Sequence, residues 1–425
     1  MSGLNQSIKM KRYLTFILFG VLLIVPQVRG GSEEGGLPGG YLRWGASARC
    51  LALGGAFVGL ADDASAVYWN PAGLEQIPST QILAMHATLF ERTSYDLLAV
   101  VQPTRRLGTF GFGGVWLSSG SFERTDEQNR SQGHFSDLQS TLLLSYAKEL
   151  GKVSAGLNFK LVGHKIAGYS GSGTGLDFSL TYRPLRNLNF GLSLQNLLQP
   201  KLTLIEEEES FPRCIRFGQA LRFLNRRLVL VTDLEKVEGQ ELKVYTGMEY
   251  WVFSSLALRG GYDGKVREYS LGSGFRLSRY QVDYSMMAHE LGISHRFSFI
   301  WRFGIPYGVK LRPSPKLFSP TGRVNQVKMR IKTWEKHPME DWRLIIEDQK
   351  GNVVKKYQGD ENPPQEIVWN GQDDLDRTVG DGLYKVKVLV RDKFGDTWED
   401  SDEVRVVNFK EERKDPIRTK VNRGD

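Results

Sequence analysis

Seven arginines, Arg183, Arg216, Arg222, Arg259, Arg276, Arg296 and Arg302, fall in phase with small or polar residues and opposite an apolar set. Guanidinium groups arranged this way suit two kinds of chemistry: binding an anionic or amphipathic solute, or ion pairing with carboxylates. Asp177, Asp233, Glu249 and Asp283 share their phase on neighbouring segments, and because buried charges are normally paired, a salt-bridged filling is the economical reading. Asp62 and Asp63 also have two roles open to them. They can cap a short helix through their side-chain oxygens, or pair with Arg183, Arg216, Arg222, Arg259, Arg276 or Arg302. In Asn70-Pro71-Ala72-Gly73, Pro71 fixes its own φ and biases Asn70 toward extended geometry, and Gly73 permits a positive φ or a close contact with a wall. Catalytic chemistry is sparse. The six histidines, His86, His134, His164, His289, His295 and His337, lack metal-ligand spacing, and only His289-Glu290 suggests a hydrolytic pair, without a readable nucleophile. Asp373, Asp374, Asp376 and Asp381 lack the spacing of a calcium loop and read as an acidic surface loop. No catalytic residue, metal or cofactor is expected, and a net charge of +8 spread along the chain gives no nucleic-acid stripe.

The elements that must hold these residues are strands. In Val153–Leu161 every odd position is apolar and every even one small, polar or charged, the period of a sheet between two unlike surroundings. The pattern returns in Leu176–Arg183, Leu188–Gln195 and Arg296–Phe303. A two-faced soluble sheet alternates too, but repetition in segments of about ten residues cut by short turns is the signature of a transmembrane β-barrel. The expected fold is therefore all-β. Fourteen antiparallel strands are placed near 81–89, 94–102, 107–118, 138–148, 152–166, 174–183, 188–197, 213–223, 227–236, 241–252, 255–263, 267–277, 279–289 and 292–303. Connections at 103–106, 149–151, 184–187, 224–226, 253–254 and 278 are short, whereas 119–137, 167–173 and 198–212 are longer, so short periplasmic turns face long outer loops.

The rest of the chain organises around that barrel. Residues 1–30, with the apolar run Tyr13–Val25 after Lys9, Lys11 and Arg12, read as a secretory signal peptide. Residues 31–80 are rich in small residues and lack strand alternation, as a plug inside a lumen requires. The barrel occupies 81–303. Next, 304–320 reads as a semi-rigid linker, 321–409 as a small periplasmic β-sandwich of short strands, and 410–425 as a charged disordered tail. Cys50 and Cys214 are far apart in sequence, which leaves a disulfide open.

Two resemblances attach to particular motifs. Gly45-Ala46-Ser47-Ala48-Arg49, Leu53-Gly54-Gly55-Ala56-Phe57, Ala61-Asp62-Asp63-Ala64-Ser65-Ala66 and Tyr68-Trp69-Asn70-Pro71-Ala72-Gly73-Leu74 resemble the N-terminal signature of the PorV/PorQ group of outer-membrane proteins, relatives of the FadL long-chain fatty-acid transporters. Val368-Trp369-Asn370-Gly371-Gln372-Asp373 and Gly380-Asp381-Gly382-Leu383-Tyr384 resemble the FlgD-type immunoglobulin-like domain. The first resemblance implies an outer-membrane barrel that scaffolds or shuttles secreted or surface-attached proteins in type IX secretion, with secretion-machine subunits or cargo as partners beside the outer-membrane lipid. The FadL side of it implies transport of a small hydrophobic or amphipathic solute, with gating at Asn70, Pro71 and Gly73. Two proposed outer loops are hydrophilic, one carrying Glu123, Arg124, Asp126 and Glu127, the other Glu206-Glu207-Glu208-Glu209, which favours the secretion reading.

Overall fold

The computed structural model describes residues 37–89, 93–104, 107–264, 268–289, 292–304, 308–334, 339–392 and 397–408. The expected signal peptide, the charged tail, His337 and Glu290 lie outside them. The described residues from Tyr41 onward form one compact unit.

The chain enters the barrel with β1 (Thr80–Thr88), β2 (Ser94–Pro103) and β3 (Thr109–Ser118), and a loop then carries the hairpin β4 (Phe122–Thr125) and β5 (Ser131–Phe135). It continues through β6 (Asp137–Leu150), β7 (Val153–Ile166), β8 (Tyr169–Leu185) and β9 (Leu188–Leu198), followed by a second loop hairpin, β10 (Lys201–Thr203) and β11 (Glu208–Ser210). Seven further strands complete the wall: β12 (Cys214–Phe223), β13 (Leu228–Val237), β14 (Leu242–Trp251), β15 (Leu256–Asp263), β16 (Glu268–Leu277), β17 (Tyr280–His289) and β18 (Gly292–Phe303). Leaving out the two loop hairpins, fourteen strands close one barrel, and β18 pairs with β1 from Thr80 opposite Phe303 to Thr88 opposite His295.

The side-chain period sets inside and outside. On β7, Ser154, Gly156, Asn158, Lys160 and Val162 are buried toward the lumen while Leu157, Phe159 and Leu161 stand outward. Phe110, Phe112, Leu144, Phe217, Leu271, Phe275, Phe297 and Phe299 extend that outward apolar surface around the wall. Such a belt on a barrel without open edges is what a bilayer requires. One loop differs from expectation. The stretch 167–173 is a two-residue turn, Ala167-Gly168, with both φ positive, and β8 begins at Tyr169. Ser170–Gly175 lacks apolar alternation, yet its backbone pairs with β7. Gly171 and Gly175 sit so close to Thr203 and Pro200 that no side chain fits there.

The region after the barrel also differs. Instead of a linker across 304–320, Gly308–Ser314 is strand β19, paired residue for residue with β21 (Val327–Trp334), and Leu317–Phe318 is β20, parallel to β26 (Thr397–Val406). The prolines at 313 and 315 hid a short inward set, Val309, Leu311 and Pro313. With β22 (Met339–Glu347), β23 (Val353–Asp360), β24 (Glu366–Trp369) and β25 (Gly382–Asp392), these make a three-stranded sheet, β19-β21-β24, against a five-stranded one, β20-β26-β25-β22-β23. Their shared core centres on Trp369, fully buried, with Phe318 and Tyr384 edge-on at 5.5 Å. The Trp369-Asn370-Gly371 motif is thus a core anchor followed by a turn. Its indole donates to the Gln372 carbonyl at 2.8 Å, and Gly371 has φ +76°. The sandwich meets the barrel rim where Glu340 pairs with Arg186 of the β8–β9 turn.

Candidate functional site

Residues 41–77 fill the lumen as short helical turns, Ala48–Leu51, Ala66–Trp69 and Pro71–Gln76, joined by small residues. Isolated turns this short are not stable in water. They persist because the wall supplies their missing backbone partners. Ser298 accepts from the Ala48 N–H at 2.6 Å, Ser270 from Gly54 at 3.0 Å, and Ser179 from Ala72 at 2.9 Å. Asp233 takes two plug donors, Phe57 N–H at 2.8 Å and Val58 N–H at 2.9 Å, and Asn158 donates to the Val67 carbonyl at 2.6 Å.

Backbone meets backbone at a set of wall glycines. A Cβ on Gly156 would lie 2.2 Å from Ala72 N, on Gly191 2.1 Å from Val58 O, and on Gly218 2.5 Å from Gly59 N. Gly247 and Gly261 are crowded in the same way by Leu53 and Gly54. These contacts escaped the sequence reading, whose only available signal was glycine recurring on the lumen phase of successive strands.

Asn70 is extended, as expected, with φ −161°. Its side chain caps Pro71–Gln76 by accepting from Ala72 N–H at 3.1 Å and donates to the Val58 carbonyl at 2.7 Å. Gly73 has no positive φ, and its tightest neighbour is in the plug itself. A Cβ there would meet Ala61 of the plug at 2.4 Å, so its small size serves packing within the plug, and the wall-side small residue against this turn is Gly156.

Asp62 and Asp63 separate into different roles around a residue not singled out from sequence, Arg49 of the plug. Asp63 accepts from Ser65 N–H at 3.0 Å and Ser65 O–H at 2.6 Å, fixing the turn before Ala66–Trp69, and pairs with Arg49 at 3.0 Å. Asp62 lies 2.6 Å from Arg49 and 3.5 Å from Arg222. Arg49 also forms a two-pronged pair with Glu249 of the wall, at 2.8 and 2.9 Å, the strong geometry for guanidinium and carboxylate. Glu249 is shared with Arg259 at 2.7 Å, and Arg259 reaches Asp283 at 2.8 Å. Gln281 donates to Asp283 and accepts from both Arg276 and Arg302 at 2.9 Å. One continuous network therefore runs from Arg222 through the plug to Arg302.

The remaining arginines stand apart from it. Arg216 donates to the Gly55 carbonyl at 2.7 Å, pairs with Asp233 at 3.3 Å and Glu235 at 3.4 Å, and stacks on Tyr245 and Trp69. Arg183 pairs with Glu149 at the short-turn rim. Asp177 takes Lys160 at 2.7 Å. Cys50 and Cys214 are both free and buried.

The lumen wall has two faces. Leu83, Met85, Leu97, Val101, Val115 and Leu143 bury an apolar sector on β1–β3 and β6 against the plug, while most of the charges lie on β12–β18, interspersed with Val229, Val231 and Ile300 of the same apolar cluster, and the Lys160–Asp177 and Arg183–Glu149 pairs lie on β6–β8. Among the described residues, no group of three or more His, Cys, Asp or Glu could hold a metal.

Residues 41–177 match the profile of the Uncharacterised protein family (UPF0164). No curated protein matches the chain. Among solved structures, the toluene transporter TbuX of Ralstonia pickettii aligns at 13% identity and TM-score 0.46, covering 61% of this chain and 99% of that one. The toluene transporter TodX of P. putida aligns at 14% and 0.46 over 61% and 99%, and a Pseudomonas aeruginosa FadL homologue at 13% and 0.43 over 61% and 98%.

Proposed function

We propose that this chain is a non-enzymatic, plugged barrel of the outer membrane that passes a small hydrophobic or amphipathic solute. The observation carrying the proposal is the apolar sector of the lumen wall on β1–β3 and β6, set against a β12–β18 side that carries most of the charges, with the plug held between them by hydrogen bonds and ion pairs. Such contacts separate without covalent change, and each side of the lumen suits one part of an amphipathic molecule. Asn70, Pro71 and Gly73 would act in gating by shaping the plug turn whose Pro71 and Ala72 backbone lies against Gly156 of β7.

The test is flux into proteoliposomes, using labelled toluene and octanol as probes. Wild type should accumulate either probe faster than protein-free vesicles, and Glu249→Gln, which weakens the plug's hold on the wall, should be faster still. Rates equal to those of empty vesicles for both proteins would overturn transport.

A second reading, scaffolding of protein secretion or surface attachment in the manner of the PorV/PorQ group, is favoured by two observations. The outer hairpin β4–β5, apart from the Phe122–Phe135 pair, and Glu206–Glu209 are exposed and polar, and a sandwich is pinned to the opposite rim by Arg186 and Glu340. Native pull-down of secretion-machine subunits or secreted proteins, without probe flux, would select it.

A further inference from the structure

The outward faces of β1 and β2 turn polar partway up the barrel wall. Counting from the short-turn end, β1 presents Ile82, Ala84, His86 and Thr88 outward, and β2 presents Gln102, Val100, Leu98, Asp96 and Ser94. Between Gln102 and Asp96 the apolar span is about 15 Å along the membrane normal, at about 3.4 Å per residue and a tilt of about 40°, against an apolar band of about 25 Å on such barrels. His86 and Asp96 are directly opposite each other in the ladder. His86 Nδ1 lies 2.6 Å from an Asp96 carboxylate oxygen, and the two side chains are 59% and 41% exposed. On the other side of β1, Phe297 of β18 is opposite His86, and His295 is opposite Thr88. His295 Nδ1 lies 2.8 Å from the Tyr284 hydroxyl of β17, yet on its own strand His295 stands between the exposed apolar side chains of Phe297 and Ile293. Four neighbouring strands thus share one outward polar patch, bordered toward the short turns by Ala84, Leu98 and Phe299.

A carboxylate exposed to hydrocarbon is costly, and ionisable groups at membrane depth ordinarily face protein or a water-filled cavity. Asp96 and His86 face outward instead, and the make-up of the patch says what would cover it. Two copies inserted in the same sense are related by a two-fold axis along the membrane normal, so groups at equal height meet across it. His86 and Asp96 are at nearly one level on strands about 4.8 Å apart, so an axis passing between β1 and β2 brings the imidazole of each copy to the Asp96 carboxylate of the other. We propose that the face formed by β18, β1 and β2 is the interface of a two-fold dimer of this chain within the membrane. Thr88, Ser94, Tyr284 and His295 supply further donors and acceptors around the axis. The short apolar span of one copy then lies against the short apolar span of the other, where lipid tails would meet polar groups. The proposal rests on the barrel's place in a membrane and is independent of what the lumen passes.

Disulfide cross-linking of the full-length protein in proteoliposomes at a high lipid-to-protein ratio tests it. Ser94→Cys, beside the proposed axis, should form a covalent dimer on mild oxidation. Phe217→Cys, exposed on β12 at the opposite side of the closed barrel, should stay monomeric, and Cys50 and Cys214 are buried. Native mass spectrometry of wild type released from the same liposomes should show a dimer. Asp96→Asn should weaken that dimer about tenfold, the loss of one hydrogen bond to a charged group. His86→Leu combined with Asp96→Leu should be monomeric; if that protein does not fold, Asp96→Asn and the cross-linking decide the matter. Equal cross-linking at the two cysteine positions would mark random collision, a monomeric wild type would leave the patch to lipid headgroups, and a dimer unmoved by Asp96→Asn would place the interface elsewhere. Each of these overturns the proposal.

Discussion

Glu249 is held by two guanidinium groups at once, Arg49 from the plug and Arg259 from the wall. Removing its charge leaves both cations short of a partner, and breaking a buried pair costs about 3–5 kcal/mol. Glu249→Gln should therefore lower the temperature at which the detergent-purified protein loses its compact gel mobility, whereas Arg186→Gln, at a 40% exposed rim position, should shift it little. Equal shifts would show that the plug network does not hold the fold. At the sandwich surface, hydrogen bonds from the Arg377 N–H, then from its guanidinium and the Leu375 N–H, hold the Asp373 carboxyl below the usual carboxylate range. Asp348 is lowered in the same way by the Asn352 side chain and N–H. A depressed carboxylate stabilises the fold above its unfolded pKa of about 4 and loses that contribution as pH falls through the lower folded value. Urea unfolding of the isolated sandwich should thus weaken from pH 7 to pH 3. Asp373→Asn should narrow that difference, and an unchanged difference would remove Asp373 from the account.

At the scale of the strand, the two faces of β9 fail for different reasons. Leu192 points outward, and an arginine there costs about 2–4 kcal/mol at the bilayer midplane. Ser193 points inward but is only 1% exposed, so the open, wet lumen that alternation alone suggests does not exist at this level, and an arginine there collides with the packed interior. Leu192→Arg should fold in micelles yet assemble poorly into vesicles, while Ser193→Arg should fail in both, as read by heat-modifiable mobility. A Ser193→Arg protein that assembles normally would contradict the filled lumen.

Within the one compact unit, barrel and sandwich each have their own core. Barrel closure ends at Phe303 opposite Thr80, and the sandwich has its own core around Trp369. Truncation after Phe303 should leave a heat-resistant barrel, and residues 308–408 should give a cooperative β-type unfolding curve alone. Failure of both pieces would make them one unit. In intact cells a cysteine at Ser131, in the β4–β5 hairpin, should label from outside, and one at Gly351, in the sandwich turn before β23, only after the outer membrane is permeabilised. Equal labelling of the two would reverse or abolish the proposed orientation.

Period-two alternation determined the strand count and the lipid-facing phase, because the two solvents of a barrel wall act on every residue of every strand, and Val153–Leu161 alone displays the rule. It also set the lumen phase of Arg183, Arg216, Arg222, Arg259, Arg276 and Arg302. Partner choice was beyond it. Arg49 joins Glu249 across 200 residues, and Arg216 reaches the Gly55 carbonyl across 161. The β19 strand was masked by its prolines, since a strand with three inward residues becomes legible only when β21 supplies the ladder. Close approach between plug and wall, at Gly191 and Gly261, is likewise a property of two backbones meeting, and no local pattern encodes it.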